Sequence, residues 1–348
     1  MKTDRFSPVM YVLMTAALIA AMLLCVCVGS VSIPLSDTVS VIWRALRGLE
    51  VPAGMGRNII LNVRLPRVLN VALMGAALSL SGAAMQGLLR NPLADGSTLG
   101  VSSGASLGAV LALAFGVQLP GTAYGGVMAM AMLFAFLSLL LILSLAYALD
   151  RSLSTNSIIL IGVIFSMFAS SLITLIISFA GDQVRSITFW TMGSLSGTGY
   201  AHARILALAL LVCGGIILRC ARELNAFAIG EDNARYVGVD VRRVKLVILV
   251  AVSVLIGVCV SVGGTIGFVG LVMPHMARMV AGPNHKKLLP ASMFSGAVFL
   301  LLADLAARTL LSPIELPIGV VTSMVGAAAF VIVFYHARKR AVPAASSE

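Results

Sequence analysis

Ten runs of mostly apolar residues, each near the length of a membrane crossing, divide this chain. A helix needs about 20 apolar residues to cross the hydrocarbon core. The runs at 8–29, 64–84, 98–116, 124–148, 157–180, 203–221, 245–262, 266–281, 288–310 and 316–336 fit that length. Of the 348 residues, 59% are hydrophobic and 11% are charged, against roughly 25% charged in soluble domains. One aqueous core cannot hide that much apolar surface, so lipid must be the solvent. The expected fold is an all-α polytopic membrane protein, one transmembrane domain over residues 1–348.

Two points test the division. Leu246–Ala277 carries no Asp, Glu, Lys or Arg. As one helix it would be about 48 Å long, too long for one crossing. Gly263, Gly264 and Gly267 supply a break, and Pro274 predicts a kinked or partly unwound second half. At the other end, Lys2 and Arg5 precede the uncharged run Phe6–Ser36. It is far longer than a signal-peptide core of about 7–15 residues, so it reads as a retained first crossing. Ten crossings put both termini on one side. That side then holds sixteen of the 24 Lys and Arg residues and the other side eight, which predicts cytoplasmic termini.

The net charge of +11 comes from basic residues flanking apolar runs, so a nucleic-acid partner is not expected. The five cysteines show no C-x-x-C spacing and read as packing residues. No metal-ligand spacing occurs around His275, and a packing or loop-bonding role fits it better. No G-x-x-x-x-G-K-[ST] loop is present, so the chain is not expected to hydrolyse ATP by that route. H-E-x-x-H is also missing, which argues against a membrane-embedded zinc hydrolase.

The stretch from Arg64 to Gly108 opens with two arginines at the mouth of an apolar run. It continues through small residues suited to close helix packing and turns at R90-N-P-L-A-D95. Farther on, Gly230 and Gly238 bracket a short polar helix whose acids Glu231 and Asp232 sit at its N-terminal end, where the helix dipole favours them. That piece is either a coupling helix that docks on a cytoplasmic ATPase or a solvated connecting loop. Local chemistry leaves both open.

A series of ordered motifs closes the question of class. R64-L-P-R67, Q86-G-L-L-R-N-P-L-A-D95, L99-G-V-S-S-G-A105, F189-W-T-M-G-S-L-S-G197, G230-E-D-N-A-R-Y-V-G238, G267-F-V-G-L-V-M-P-H-M-A-R278, A303-D-L-A-A-R308 and E315-L-P-I-G-V-V-T322 follow one another. Together they resemble the membrane permease of the iron-siderophore, haem and vitamin B12 ABC importers, the type II importers with ten helices per subunit. The resemblance covers essentially the whole chain. It implies a non-enzymatic transport subunit working with a second copy of itself or a close paralogue. Two cytoplasmic ATPase subunits would hold the ATP and Mg, and an extracytoplasmic substrate-binding protein would deliver the cargo. No cofactor or metal is expected on this chain.

The resemblance also implies residue roles. Arg64, Arg67 and Arg308 would receive acids of the binding protein. A loop at about 222–243, with Gly230, Glu231, Asp232, Ala234, Arg235 and Gly238, would couple to the ATPase. Asn91, Leu93, Thr155 and Asn156 would form a cytoplasmic gate, and residues 182–202 an outer re-entrant segment. Gly96 and Ala328 stand where the family often has proline, and the second difference predicts a straighter last helix.

Ser166, Ser170, Thr174 and Ser178 recur every four residues. They read either as a weakly sticky wall of the pathway or as close packing, and the family's placement of this helix favours the wall. Gly100, Gly104 and Gly108 read as packing. Asp304 and Arg308 stand four apart with the acid first, which suits a helical ion pair aiming Arg308 at a partner. Trp43 and Trp190 fit interfacial anchors. The expected cargo is a ferric-siderophore-type chelate, with haem or cobalamin as the alternative in the same machine. An ion-coupled secondary carrier is the alternative of another class. It would need an essential acid near the bilayer midplane, yet the acids here lie in loops or near helix ends.

Overall fold

A computed structural model describes residues 6–29, 33–50, 55–96, 99–119, 125–151 and 154–341. Lys2 and Arg5, counted above toward orientation, lie outside the described residues, as do the side chains of Arg338, Lys339 and Arg340.

Fourteen helices follow one another in the described residues. They are α1 (Pro8–Cys27), α2 (Leu35–Leu46), α3 (Leu65–Leu88), α4 (Val101–Ala114), α5 (Gly125–Leu149), α6 (Thr155–Phe179), α7 (Val184–Thr191), α8 (Tyr200–Arg219, with a π-helical turn at Leu210–Gly214), α9 (Ala221–Phe227), α10 (Glu231–Tyr236), α11 (Val241–Gly263), α12 (Val269–Ala281), α13 (His285–Thr309) and α14 (Ile318–Ala341). Seven helical stretches are long and apolar enough to cross a membrane, and α4, α12 and the described part of α14 are shorter apolar helices. Each of these overlaps one of the apolar runs of the sequence, and seven of them have the length of a crossing.

Helix α3 is the mast of the fold. It packs against α13, α12, α11 and α8, and most of its residues are buried. Glycine makes this possible. A Cβ on Gly75 would meet the backbone of Gly296 in α13, and one on Gly82 would meet the backbone of Gly270 in α12. Without side chains at the crossings, the backbones can touch. The stripe on α4 does the same against α5, where Gly104 faces Ser138 and Gly108 faces Met130.

The expected break falls between α11 and α12. Gly264 has φ 69 and Phe268 has φ 67, and residues 264–268 leave the helix. Pro274, expected to kink or unwind the second half, sits instead inside continuous α-helix. A proline at 274 cannot bond the Gly270 carbonyl. The side-chain amide of Gln86 donates there instead, at 3.4 Å, and to the Leu271 carbonyl at 3.1 Å.

Two features of the arginine end exceed the sequence reading. The second crossing begins earlier than Arg64: Met55–Asn58 runs through a π-helical turn, Ile59–Arg64, into α3. Helix α2 lies within what read as a polar excursion, with Arg47 stacked 4.3 Å over exposed Trp43.

Side chains start the helices at the opposite end. Ser154 Oγ accepts from Ser157 N–H (3.3 Å) to cap α6, and Asp240 Oδ1 accepts from Arg243 N–H (3.0 Å) to cap α11. At α13, Asn284 Oδ1 accepts from Lys286 N–H and from the Asn225 amide. Asn225 Oδ1 in turn accepts from His285 N–H at 2.8 Å. This knot ties α9 to α13 beneath the loop at 222–243. Asn225→Leu is expected to cost about 1–3 kcal/mol, because buried polar groups lose their partner. A lowered midpoint of thermal unfolding in lipid nanodiscs would show it.

Candidate functional site

Three places gather the singled-out residues: a cavity inside the bundle, the loop end, and the arginine end.

The cavity has a volume of about 650 Å3. It runs from the turn at Leu93–Gly96 to the break at Thr265–Phe268, walled by α4, α6 and α11. Of the small-polar stripe on α6, Ser170 and Thr174 line it, with Ile173 and Ile177 between. Ser166 and Ser178 do not. The Ser166 hydroxyl is buried without a hydrogen-bond partner, and Ser178 spends its hydroxyl on the Thr174 carbonyl. The opposite wall was missed. Ser102, Ser103 and Ser106 of α4 face the same space, and their i, i+1, i+4 spacing in the S102-S-G-A-S106 run was the available signal. Asp95 is the one charged residue of the lining.

The segment at 182–202 packs on the helices at one end of the cavity. Helix α7 leads to Thr191, whose carbonyl accepts from the Thr265 hydroxyl. Ser194 N–H donates to the Gly263 carbonyl at 2.9 Å, and Ile318 N–H donates to the Gly193 carbonyl at 3.1 Å. The segment, the α11–α12 break and the start of α14 therefore meet at one end of the cavity, with Trp190 half-buried beside Gly264.

At the loop end, α10 spans six residues between Gly230 (φ 117) and Gly238 (φ 86), conformations that glycine adopts without strain. Ala234 is fully buried and plugs α10 onto the bundle, while Ile229, Tyr236 and Val237 are 66%, 88% and 67% exposed. The pair Asp232–Arg235, 3.3 Å apart, is solvated and adds little stability. Glu231 points inward. Its carboxylate meets Lys245 Nζ at 2.7 Å and accepts from the Thr155 hydroxyl at 3.2 Å.

The other expected gate residues divide. Asn91 Oδ1 accepts from Leu93 N–H at 2.9 Å, a side-chain turn that follows Arg90, itself at φ 49. Leu93 reaches the cavity. Thr155 is turned to Glu231 and Asn156 is exposed. Arg90 also lies beside Gly230, so the turn and the loop are neighbours.

The arginine end departs from expectation in its direction. Arg64, Arg67 and Arg308 do come together, but each is buried within the chain. The ion pair Asp304–Arg308 is present at 2.9 Å. It does not aim Arg308 outward: Arg308 Nη2 donates to the Cys25 carbonyl at 3.1 Å. Arg64 Nη1 donates to the carbonyls of Val26 and Cys27, at 2.7 and 2.9 Å. The last carbonyls of a helix have no partner within it, and two guanidiniums fill that need for α1. Arg67 bridges Asp304 (3.0 Å) and Glu315 (2.9 Å), and Glu315 is the half-exposed member of the group.

Residues 17–336 match the FecCD transport family. The chain belongs to that family. It is 44% identical over 336 residues to the uncharacterized ABC transporter permease protein YvrB of Bacillus subtilis, covering 96% of this chain and 94% of that one. It is 32% identical over 341 residues to the molybdate import system permease protein MolB of Haemophilus influenzae, with 97% and 98% covered. Among solved structures, an inward-facing ABC transporter assigned to the metal-chelate type superposes with a TM-score of 0.82 at 31% identity, over 95% of this chain and 100% of that one. Family and helices together make this a multi-pass membrane protein, a permease of the ABC importer class.

Proposed function

We propose that this FecCD permease carries a bulky metal chelate of the ferric-siderophore type inward. The cavity lining carries the reading. Among the described residues its polar side chains are hydroxyls, its one charge is the acid Asp95, and no Lys, Arg or His lines it. A bare oxyanion, the cargo named for the Haemophilus relative, is held by N–H donors or cations. Among the described residues such a lining offers it no cationic side chain. A chelate whose metal is already wrapped needs only a weak, neutral wall that lets it leave.

In this reading two copies, or one copy and a paralogue, frame the pathway with both termini in the cytoplasm. The exposed Ile229, Tyr236 and Val237 of the loop at 222–243 seat in each of two ATPase subunits, which bind ATP and Mg. An extracytoplasmic binding protein lands on the arginine end. Of the three, Arg67 lies nearest the landing surface, through its half-exposed partner Glu315. Arg64 and Arg308 shape the rim by holding the end of α1. Asp304, the acid that a secondary carrier would need, is held between two guanidiniums.

The test is ATPase activity of the chain reconstituted in lipid with the ATPase encoded beside it, with and without candidate binding proteins. Stimulation is expected from a binding protein loaded with a ferric siderophore. Stimulation only by a haem-, cobalamin- or molybdate-loaded protein would replace the cargo. No complex and no stimulation would overturn the reading.

A further inference from the structure

We propose that Lys245 and Thr155 share the carboxylate of Glu231 as a joint that carries movement of α10 into α6, one wall of the cavity. The inference rests on the reading that the loop at 222–243 seats on an ATPase. It adds a positioning residue, Lys245, and a route.

The route begins with how weakly α10 is otherwise held. Six residues cannot make a stable helix alone. Ala234 is its one buried side chain. The strongest tie is Glu231, whose two oxygens lie 2.7 and 2.8 Å from Lys245 Nζ. The lysine side chain is 1% exposed and that of Glu231 20%. A buried charge of this kind needs its partner, so movement of α10 away from α11 pulls directly on the Glu231–Lys245 pair.

The second half of the joint is Thr155, the first residue of α6. Its hydroxyl donates to Glu231 Oε1 at 3.2 Å. From there α6 runs without proline to Phe179, and Ser170 and Thr174 on it line the cavity. Fifteen residues separate Thr155 from Ser170, about 22 Å at helical rise. One carboxylate thus ties the loop both to α11 and to α6, two of the helices that wall the cavity. A shift of α10 pulls α6 through Thr155, and Lys245 sets the pivot.

The experiment compares three variants in the reconstituted complex: Lys245→Met, Thr155→Val, and the swap Lys245→Glu with Glu231→Lys. Two readouts are taken, assembly with the ATPase by pull-down and cargo transported per ATP hydrolysed. Thr155→Val keeps shape and leaves the Lys245–Glu231 pair intact, so it cuts only the α6 side. The expected result is an assembled complex whose transport per ATP falls at least ~5-fold in both single variants, the lower end of usual coupling between sites. The swap is expected to recover part of the loss seen with Lys245→Met. A merely structural lysine would lower assembly and leave the ratio unchanged. If Lys245→Met does not assemble, Thr155→Val alone decides. A ratio within twofold of the unmodified complex in assembled Thr155→Val overturns the joint. Absence of any complex with the unmodified chain would instead remove the ATPase-docking reading, and the joint with it.

Discussion

Asp304→Ala is expected to lower stability by about 3–5 kcal/mol, the cost of breaking a buried ion pair from one side. Asp304 is 1% exposed and serves two guanidiniums, those of Arg67 and Arg308. Without it Arg308 keeps only backbone carbonyls of α1, and Arg67 keeps only Glu315. Both cations would remain inside the protein with less negative charge than they need. Reversible unfolding in mixed micelles reads the loss. Asp304→Asn, which keeps the shape and one acceptor oxygen, should fall between the alanine variant and the unmodified chain. A loss below ~1 kcal/mol for Asp304→Ala would mean that water or lipid phosphate already reaches the cluster. The arginine end would then be an open docking site and not a clamp.

The second large effect belongs to Gly82→Val. A Cβ at this position would sit inside the contact distance of the Gly270 carbonyl, which is backbone and cannot swing aside. Helices α3 and α12 would have to part. Overpacking costs typically about 1–3 kcal/mol and occasionally more, and a backbone-to-backbone crossing puts this site at or above the top of that range. Gly215→Ala is the control. Nothing lies within 4 Å of a Cβ there, so a helical alanine should be neutral or stabilising by about 0.5–1 kcal/mol. Equal effects at both positions would show that the crossing is looser than drawn.

Much of the architecture was legible in the sequence because a membrane imposes one rule on every crossing. The apolar runs marked the helices, and Gly263-Gly264 marked the break. What escaped depends on direction. Charges near the ends of apolar runs announce an interface, but nothing local says whether a guanidinium turns outward or inward. Arg308 turns to the carbonyl of Cys25, 283 residues away, a contact no window of sequence contains. Lys245 was counted as one more basic residue near a helix start. Its role became visible only once Glu231 and Thr155 stood beside it. The stripe on α6 shows the same limit in smaller form. A repeat of four drifts around the helix, so Ser170 and Thr174 reach the cavity while Ser166 is turned away. The amphipathic α2 was hidden because its polar face interrupts the apolar pattern between the first two runs.

The central position of α3 bears on how the protein is made. This helix carries Arg64, Arg67, Asn70 and Gln86 on or beside it, and it is the least apolar of the seven long crossings. It also leaves the ribosome before α8, α11, α12 and α13, against which it packs. The acid that holds Arg67 lies 237 residues later, roughly 12–47 s of translation at about 5–20 residues per second. For that interval the hub of the finished protein waits in or beside the insertion machinery, without the neighbours that make it a membrane helix.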